Sequence, residues 1–372
     1  MKKRTAELLR RRLLLEGLER RALMAGNITA AVTDGTLFVR GDDAANGVIV
    51  RMVPPPAGSD PANPPPPKFE VVGQKAGDSD TTVNGGTTGF IAEGVTAGIV
   101  IETGKGDDFI TVANPPPPPP TTGQPPPPPA PPVAVPGGLR INAGDGNDRV
   151  GGSIANRGNA SIVLGTGNDG LNLTASAFNN LQIFGEVPPP PPNTTPLPPP
   201  PPPGADRMLL DSVRVGGTAL IDAGPGDDGL TIQSRSAFAN GLNINMGDGN
   251  DGVQLLGLPA ANGKPAVPVA IQGVLNLNLG GGNDKANLSI VNVGTANIDA
   301  GAGDDAVNIG GVHAVDTIYA VLGAGADKLT VGGSAAKHAK FYGGDGTDLF
   351  TNRGENTFGD LLVDGFEPPP AP

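Results

Sequence analysis

Aspartate is the residue type in this sequence whose number and spacing could do chemistry. Of 37 acidic residues, 28 are Asp and nine are Glu, a bias expected where a short carboxylate reaches nearby backbone or a cation from within a turn. The motif G-x-G-[N/D]-D, followed by alternating apolar residues, ends at Asp108, Asp148, Asp169, Asp228, Asp251, Asp284 and Asp305, and looser copies end at Asp327 and Asp348. Asp145, Asp248 and Asp345 stand between the two glycines of their own motifs. Hard oxygen donors, no Cys, and only His313 and His338 as imidazoles point to Ca2+ rather than a transition metal.

Electrostatics sharpens that expectation. Carboxylates stacked one rung apart, about 4.8 Å, repel by ~0.9 kcal/mol in water and ~3.5 kcal/mol at an effective dielectric of 20. Arg149, Lys285 and Lys328 offset a few rungs, whereas Asp169, Asp228, Asp251 and Asp305 are followed by Gly or Ala. Calcium is the expected counter-ion for the rest.

The elements that must position these residues follow from the spacing. Gaps between successive final aspartates are 40, 21, 59, 23, 33, 21, 22 and 21. Removing residues 115 to 134 reduces 40 to 20, and removing about twelve around Gly257 to Pro268 reduces 33 to 21. The gap of 59 hides one copy: deleting residues 187 to 203 joins Phe184-Gly185-Glu186 to Gly204-Ala205-Asp206. Gly77 to Asp80 and Gly41 to Asp43 read as weaker upstream copies. A period near 21 with short alternating segments predicts an all-β fold, a parallel β-solenoid of the β-helix or β-roll type, whose rungs share one narrow core. Val150, Leu171, Leu230, Val253, Val307 and Leu329 after the turn should point inward. Ile141, Ile162, Ile221, Ile244, Leu277 and Ile298 should do so before it. Ten rungs would extend about 48 Å.

In register, the motif resembles the haemolysin-type (RTX) calcium-binding nonapeptide, G-G-x-G-x-D-x-U-x with U apolar. Gly144-Asp145-Gly146-Asn147-Asp148-Arg149-Val150 matches it except that Ala143 replaces the first glycine, which Gly343 restores before Gly344-Asp345-Gly346-Thr347-Asp348. The resemblance implies Ca2+ held between neighbouring turns by the motif aspartates. One nonapeptide per 21 residues, rather than a tandem array, implies ions on one edge only. The alternative is a purely structural turn in which Asn and Asp cap their own backbone.

Net charge is −12, but residues 1 to 26 carry eight Lys or Arg against three Glu, so the remainder holds −17. That balance disfavours nucleic acid and favours cations. The basic stretch reads as a short amphipathic helix with Leu8, Leu15 and Leu18 on one side. Its residues Leu15-Glu16-Gly17-Leu18-Glu19-Arg20-Arg21-Ala22-Leu23-Met24-Ala25 resemble the LEPR-XLL signature of large bacterial surface and secreted proteins, departing from it at Arg20 and Met24. The resemblance implies export or surface display. No run of about 18 apolar residues exists, so no transmembrane segment is expected.

Pro supplies 42 residues, 38 of them in four tracts, which read as loops inserted into the repeat. The expected organisation is a basic export or sorting-like helix over 1–26, a β-solenoid over 27–366 with Pro-rich insertions near 54–67, 115–136, 187–203 and 257–268, and a Pro-rich tail over 367–372. An outward column, Asn142, Val163, Asp222, Asn245, Asn278, Asp299, Val321 and Tyr342, raises the alternative of a lyase-like, polysaccharide-active β-helix. Only sparse bases such as Arg140 lie nearby and no aromatic platform for sugar is evident, so no enzyme is expected. A metal-free structural solenoid is the other alternative. The favoured expectation is an extracellular or cell-surface calcium-binding protein with a structural or adhesive role. Its partners would be calcium ions and extracellular polysaccharide or cell-wall matrix.

Overall fold

A computed structural model describes residues 26–56, 58–60, 62, 65–76, 79–120, 125–186 and 203–368. The expected N-terminal helix over 1–26 lies outside them but for Gly26, as does most of the 187–203 insertion. The described chain is all-β, with strands stacked in parallel in a manner compatible with the expected β-solenoid. No helix among the described residues is long and apolar enough to cross a membrane.

One repeat shows how sequence produces the stack. Strand Lys285–Asp299 alternates inward and outward residues and bends at Ile290, whose φ is +57°. It pairs in parallel with Gly252–Gly257 and Val269–Asn278 on one side and with Ala306–Ala314 and Thr317–Gly325 on the other. Its inward residues Ala286, Leu288, Val291, Val293, Ala296 and Ile298 are buried, and each meets inward residues of the neighbouring rungs. All twelve inward residues expected from the alternation are in the core. Buried Ser176, Ser236 and Ser334 satisfy corners of the stack, where their Oγ atoms accept from the amides of Ile154, Val213 and Val312 at 3.0 to 3.1 Å.

The turn glycines are required twice over. Gly165 has φ +111°, and a Cβ there would lie 1.7 Å from the Gly144 carbonyl oxygen one rung back. Gly167, at φ +131°, would meet the Gly146 carbonyl at 1.8 Å. Positive φ and rung-to-rung contact both exclude a side chain.

The N-terminal end departs from the expected repeat. Asn27–Thr33 and Thr36–Arg40 pair antiparallel, as do Gly47–Val53 and Lys68–Ala76. The 54–67 proline tract therefore joins two antiparallel strands instead of interrupting a rung. Of the weaker copy expected at Gly77 to Asp80, Gly77 and Asp78 lie outside the described residues, and Ser79–Asp80 pairs antiparallel with Lys75 and Ala76 rather than in parallel with a neighbouring rung. The first rung is still keyed to the stack, since Thr36–Arg40 lies parallel to Gly98–Lys105 and Gly47–Val53 to Phe109–Val112. The second insertion is shorter than the expected 115–136, because Val133–Val135 within those bounds is a strand. Strand Val133–Val135 resumes the repeat after the second tract, and the 257–268 insertion is a small hairpin with bridges Leu258 to Val267 and Ala261 to Lys264.

Candidate functional site

Each motif aspartate sits where the turn re-enters a strand, and its side chain points inward. Asp108, Asp148, Asp169, Asp228, Asp251, Asp284, Asp305, Asp327 and Asp348 are all buried, with 5 % exposure at most. They form one file with a constant bond. The backbone N–H of Asp108 donates to Asp148 Oδ1 at 2.7 Å, that of Asp148 to Asp169 Oδ1 at 2.7 Å, and that of Asp284 to Asp305 Oδ1 at 2.8 Å. The same bond joins Asp228 to Asp251, Asp251 to Asp284, Asp305 to Asp327 and Asp327 to Asp348.

Three file members escaped the expected set of site residues. Asp206, in the copy split by the long proline insertion, accepts from Asp169 N at 2.8 Å and donates its N–H to Asp228 Oδ1 at 2.7 Å. Its place was readable from the joined turn. Asn46 opens the file, its N–H bonded to Asp108 Oδ1 at 2.6 Å, so the upstream turn ends there rather than at Asp43. Glu367 closes it by accepting the Asp348 N–H. Neither carries the Gly-x-Gly spacing, and no sequence signal marks them.

The second carboxylate oxygen is left over. Oδ2 of every aspartate in the file, from Asp108 to Asp348 and including Asp206, is buried without a hydrogen-bond partner, and so is Oε2 of buried Glu186. Desolvation is the main cause of raised pKa values along the file, assisted in most rungs by repulsion between neighbouring carboxylates. Asp148 and Asp228 are pushed up to about 8. Asp108, Asp206, Asp305 and Glu186 rise to about 7, and Asp169 and Asp251 to about 6. Asp284 and Asp327 also rise, again chiefly through burial. Raising a carboxyl from 3.8 to about 7 disfavours its ionised form by about 4 kcal/mol. A file of such groups, all ionised, would exceed the ~5–15 kcal/mol net stability of a folded domain.

The basic residues expected to help do not reach the file. Arg149, Lys285 and Lys328 follow an inward aspartate in an extended strand, so their side chains emerge on the outer surface. The ion pairs among the described residues all lie elsewhere. Asp145, Asp248 and Asp345 are exposed on the outside of their turns. Asp145 is registered between Lys105 and Thr166, Asp248 beside Gly281, and Asp345 beside Ala324, so the three join neither one another nor the inner file.

The residue before each aspartate builds a second, exposed ladder of opposite direction. Asn147 N donates down to Asp107 Oδ1 at 2.9 Å, Asn168 N to Asn147 Oδ1 at 3.1 Å, and Ala205 N to Asn168 Oδ1 at 2.8 Å. After a break at Ala205, which lacks an acceptor, the ladder resumes from Asp227 through Asn250, Asn283 and Asp304 to the Ala326 amide. These side chains cap the next rung's backbone, not their own.

The inner file suits a hard cation in charge and donor type, since each Oδ2 is a buried anionic oxygen in need of a partner. It does not close a coordination shell by itself. Among the described residues, no three side chains of His, Cys, Asp or Glu converge to hold a metal. The carbonyls of Gly247, Gly280 and Gly301 already accept from the amides of Gly281, Ala302 and Ala324. The position preceding the first turn glycine lies beside the free oxygen: a Cβ on Gly185 would come within 2.5 Å of Asp206 Oδ2. That position holds buried Thr103 in the Asp108 rung and Gly343 in the Asp348 rung, and a buried apolar residue in rungs such as those of Ala143, Leu164, Met246, Leu279 and Leu322.

His338 has a partner unforeseen from the sequence, its Nδ1 lying 2.9 Å from Asp360 in an exposed pair. The expected column runs in register from Asn142 to Tyr342, with Phe184 between Val163 and Asp222, but Val163 within it is buried rather than outward. Compared with known proteins, the chain matches no family model, no curated protein and no solved structure.

Proposed function

We propose that the chain is a β-solenoid of the cell exterior, with a structural or adhesive role, whose rigidity depends on what neutralises its buried aspartate file. The observation that carries this reading is the row of ten inward aspartates, each with one oxygen accepting the backbone N–H of the preceding rung and the other without a partner. Calcium would be the neutralising ion in this reading, held by the file carboxylates from Asp108 to Asp348. A metal bound only by the folded stack would stabilise it in proportion to free metal, so the protein would order where calcium is plentiful. The basic N-terminal stretch, with its resemblance to an export-linked signature, supports placement outside the cell. A non-enzymatic role is part of the proposal.

A second reading is favoured by the apolar residues beside the free oxygens and by the committed turn carbonyls. The carboxyls then stay protonated, and the file is a neutral structural spine. One experiment separates the two. Thermal unfolding of the full chain is followed by circular dichroism and calorimetry at pH 5 and pH 8, with and without calcium. A melting temperature that falls at pH 8 and is restored by calcium supports the calcium reading. A fall at pH 8 that calcium does not reverse leaves the protonated spine, and no response to either leaves neither reading standing.

A further inference from the structure

The outward face of the strands entering the turns carries two amide ladders that stop on successive rungs. In one, Asn276 Nδ2 donates to Asn243 Oδ1 at 2.7 Å and Asn297 Nδ2 to Asn276 Oδ1 at 2.9 Å. In the other, Asn245 Nδ2 donates to Asp222 Oδ1 and Asn278 Nδ2 to Asn245 Oδ1, both at 2.8 Å. Each amide donates one rung back, so the last member of each ladder keeps an unused acceptor. The next residue in register is Tyr319 after Asn297 and Asp299 after Asn278. Neither supplies a donor: among the described residues, Asn297 Oδ1, Asn278 Oδ1 and the Asp299 carboxylate accept no hydrogen bond from protein.

Beside these acceptors the rows change from amide to aromatic. Tyr319 and Tyr342 come from adjacent rungs and different rows, with ring centroids 5.7 Å apart and planes at 54°. Separated by 22 intervening residues, they form the aromatic platform that the sequence did not reveal. A shallow groove of about 380 Å3 runs over this junction, lined by Asn276, Asn278, Asn297, Asp299, Tyr319 and Val321.

We infer that this junction is a glycan-binding site for a neutral pyranose chain. Such a ligand is the complement of the surface: its hydroxyls are donors for Asn278, Asn297 and Asp299, and the C–H face of a ring covers a tyrosine. Carboxylates of Asp222, Asp299 and Asp364 occupy the row of Tyr342 and outnumber the exposed Lys340 that follows Tyr319 in the other row, an excess that disfavours polyuronates and sulfated chains. Rungs repeat along the stack at about 4.8 Å, so an extended chain lying across them would pass from the terminal amides onto the tyrosines. The site adds a contact point to the matrix role proposed above and rests on it, but it needs only the folded outer face and not an occupied aspartate file.

The test uses the full chain and two probes, cellohexaose as the neutral chain and a galacturonate hexamer as the anionic one. Binding is read by titration calorimetry and by line broadening of ligand protons. The expected result is cellohexaose binding that weakens by about tenfold in Tyr319→Ala/Tyr342→Ala, with circular dichroism and melting temperature unchanged. Tyr319→Phe should retain most of the affinity because the ring face remains. Unchanged affinity in the double alanine variant, no binding of cellohexaose by folded protein, or preference for the galacturonate chain would each overturn the site. Failure here leaves the melting response to pH and calcium intact, so the two proposals fail separately.

Discussion

Asp227 and Asp228 are neighbours in sequence and opposites in physics. Asp227 belongs to the outer ladder, where hydrogen bonds from the backbone and side chain of Asn250 hold its carboxyl below the usual range. Asp228 points inward, and desolvation, reinforced by Asp206, Asp251 and Glu186, raises it to about 8. Both accept one backbone N–H from an adjacent rung. The difference is the second oxygen: outside, Asp227 Oδ1 takes both bonds from Asn250 and leaves Oδ2 to solvent, whereas inside, Asp228 Oδ2 is buried without a partner. A shared hydrogen-bonding scheme thus gives a settled surface ladder and an interior one that still requires a proton or a cation.

The largest effect should come from the glycines that allow both ladders to exist. Gly165→Ala forces a Cβ against the Gly144 carbonyl at an unfavourable φ, and a loss of about 3 kcal/mol or more is expected in denaturant unfolding. Next is Asp228→Ala, which strands the buried Asp206 N–H. It should destabilise by about 2–3 kcal/mol at pH 5, and by less at pH 8 because it also deletes a disfavoured charge.

The sharpest separation of inner from outer carboxylates is by pH. An unfolded aspartate titrates near 3.9, whereas burial lifts Asp169 to about 6 and Asp148 and Asp228 to about 8 in the folded state. Between those values the folded state binds more protons, so metal-free stability is full near pH 4, declines as pH rises, and is lowest above about 8. Asp228→Asn keeps Oδ1 as an acceptor and removes the charge; it should be close to neutral at pH 5 and stabilising at pH 8. Equilibrium unfolding across that range checks both, and a stability that climbs from pH 4 to 8 would contradict the inner file's burial. The smallest effect belongs outside: Asn250→Ala should cost about 1 kcal/mol or less, independent of pH, because water can replace the bond to Asn283 N.

Much of this arrangement was legible because repetition converts spacing into geometry. A constant interval near 21 and strict alternation placed Val150 and Ile141 inward and put the nine motif aspartates in one file. The gap of 59 located Asp206 once the proline tract was removed. The direction of those aspartates was not legible. A G-x-G-N-D turn can present its carboxylate to solvent or to the interior, and Asp145 and Asp148 share one turn yet face opposite ways. The antiparallel N-terminal pairs, Asn46 and Glu367 were hidden because ends of a stack must be capped by residues outside the period.

Sequence alone determined the period, the apolar alternation, the glycines at each turn and the sites of insertion, since each is a local property repeated along the chain. Tertiary structure decided which oxygen of each aspartate is satisfied, how far burial lifts its pKa, and that Tyr319 meets Tyr342. Those depend on contacts between rungs, where residues about 21 positions apart become neighbours and water is excluded. No property of one rung in isolation specifies them.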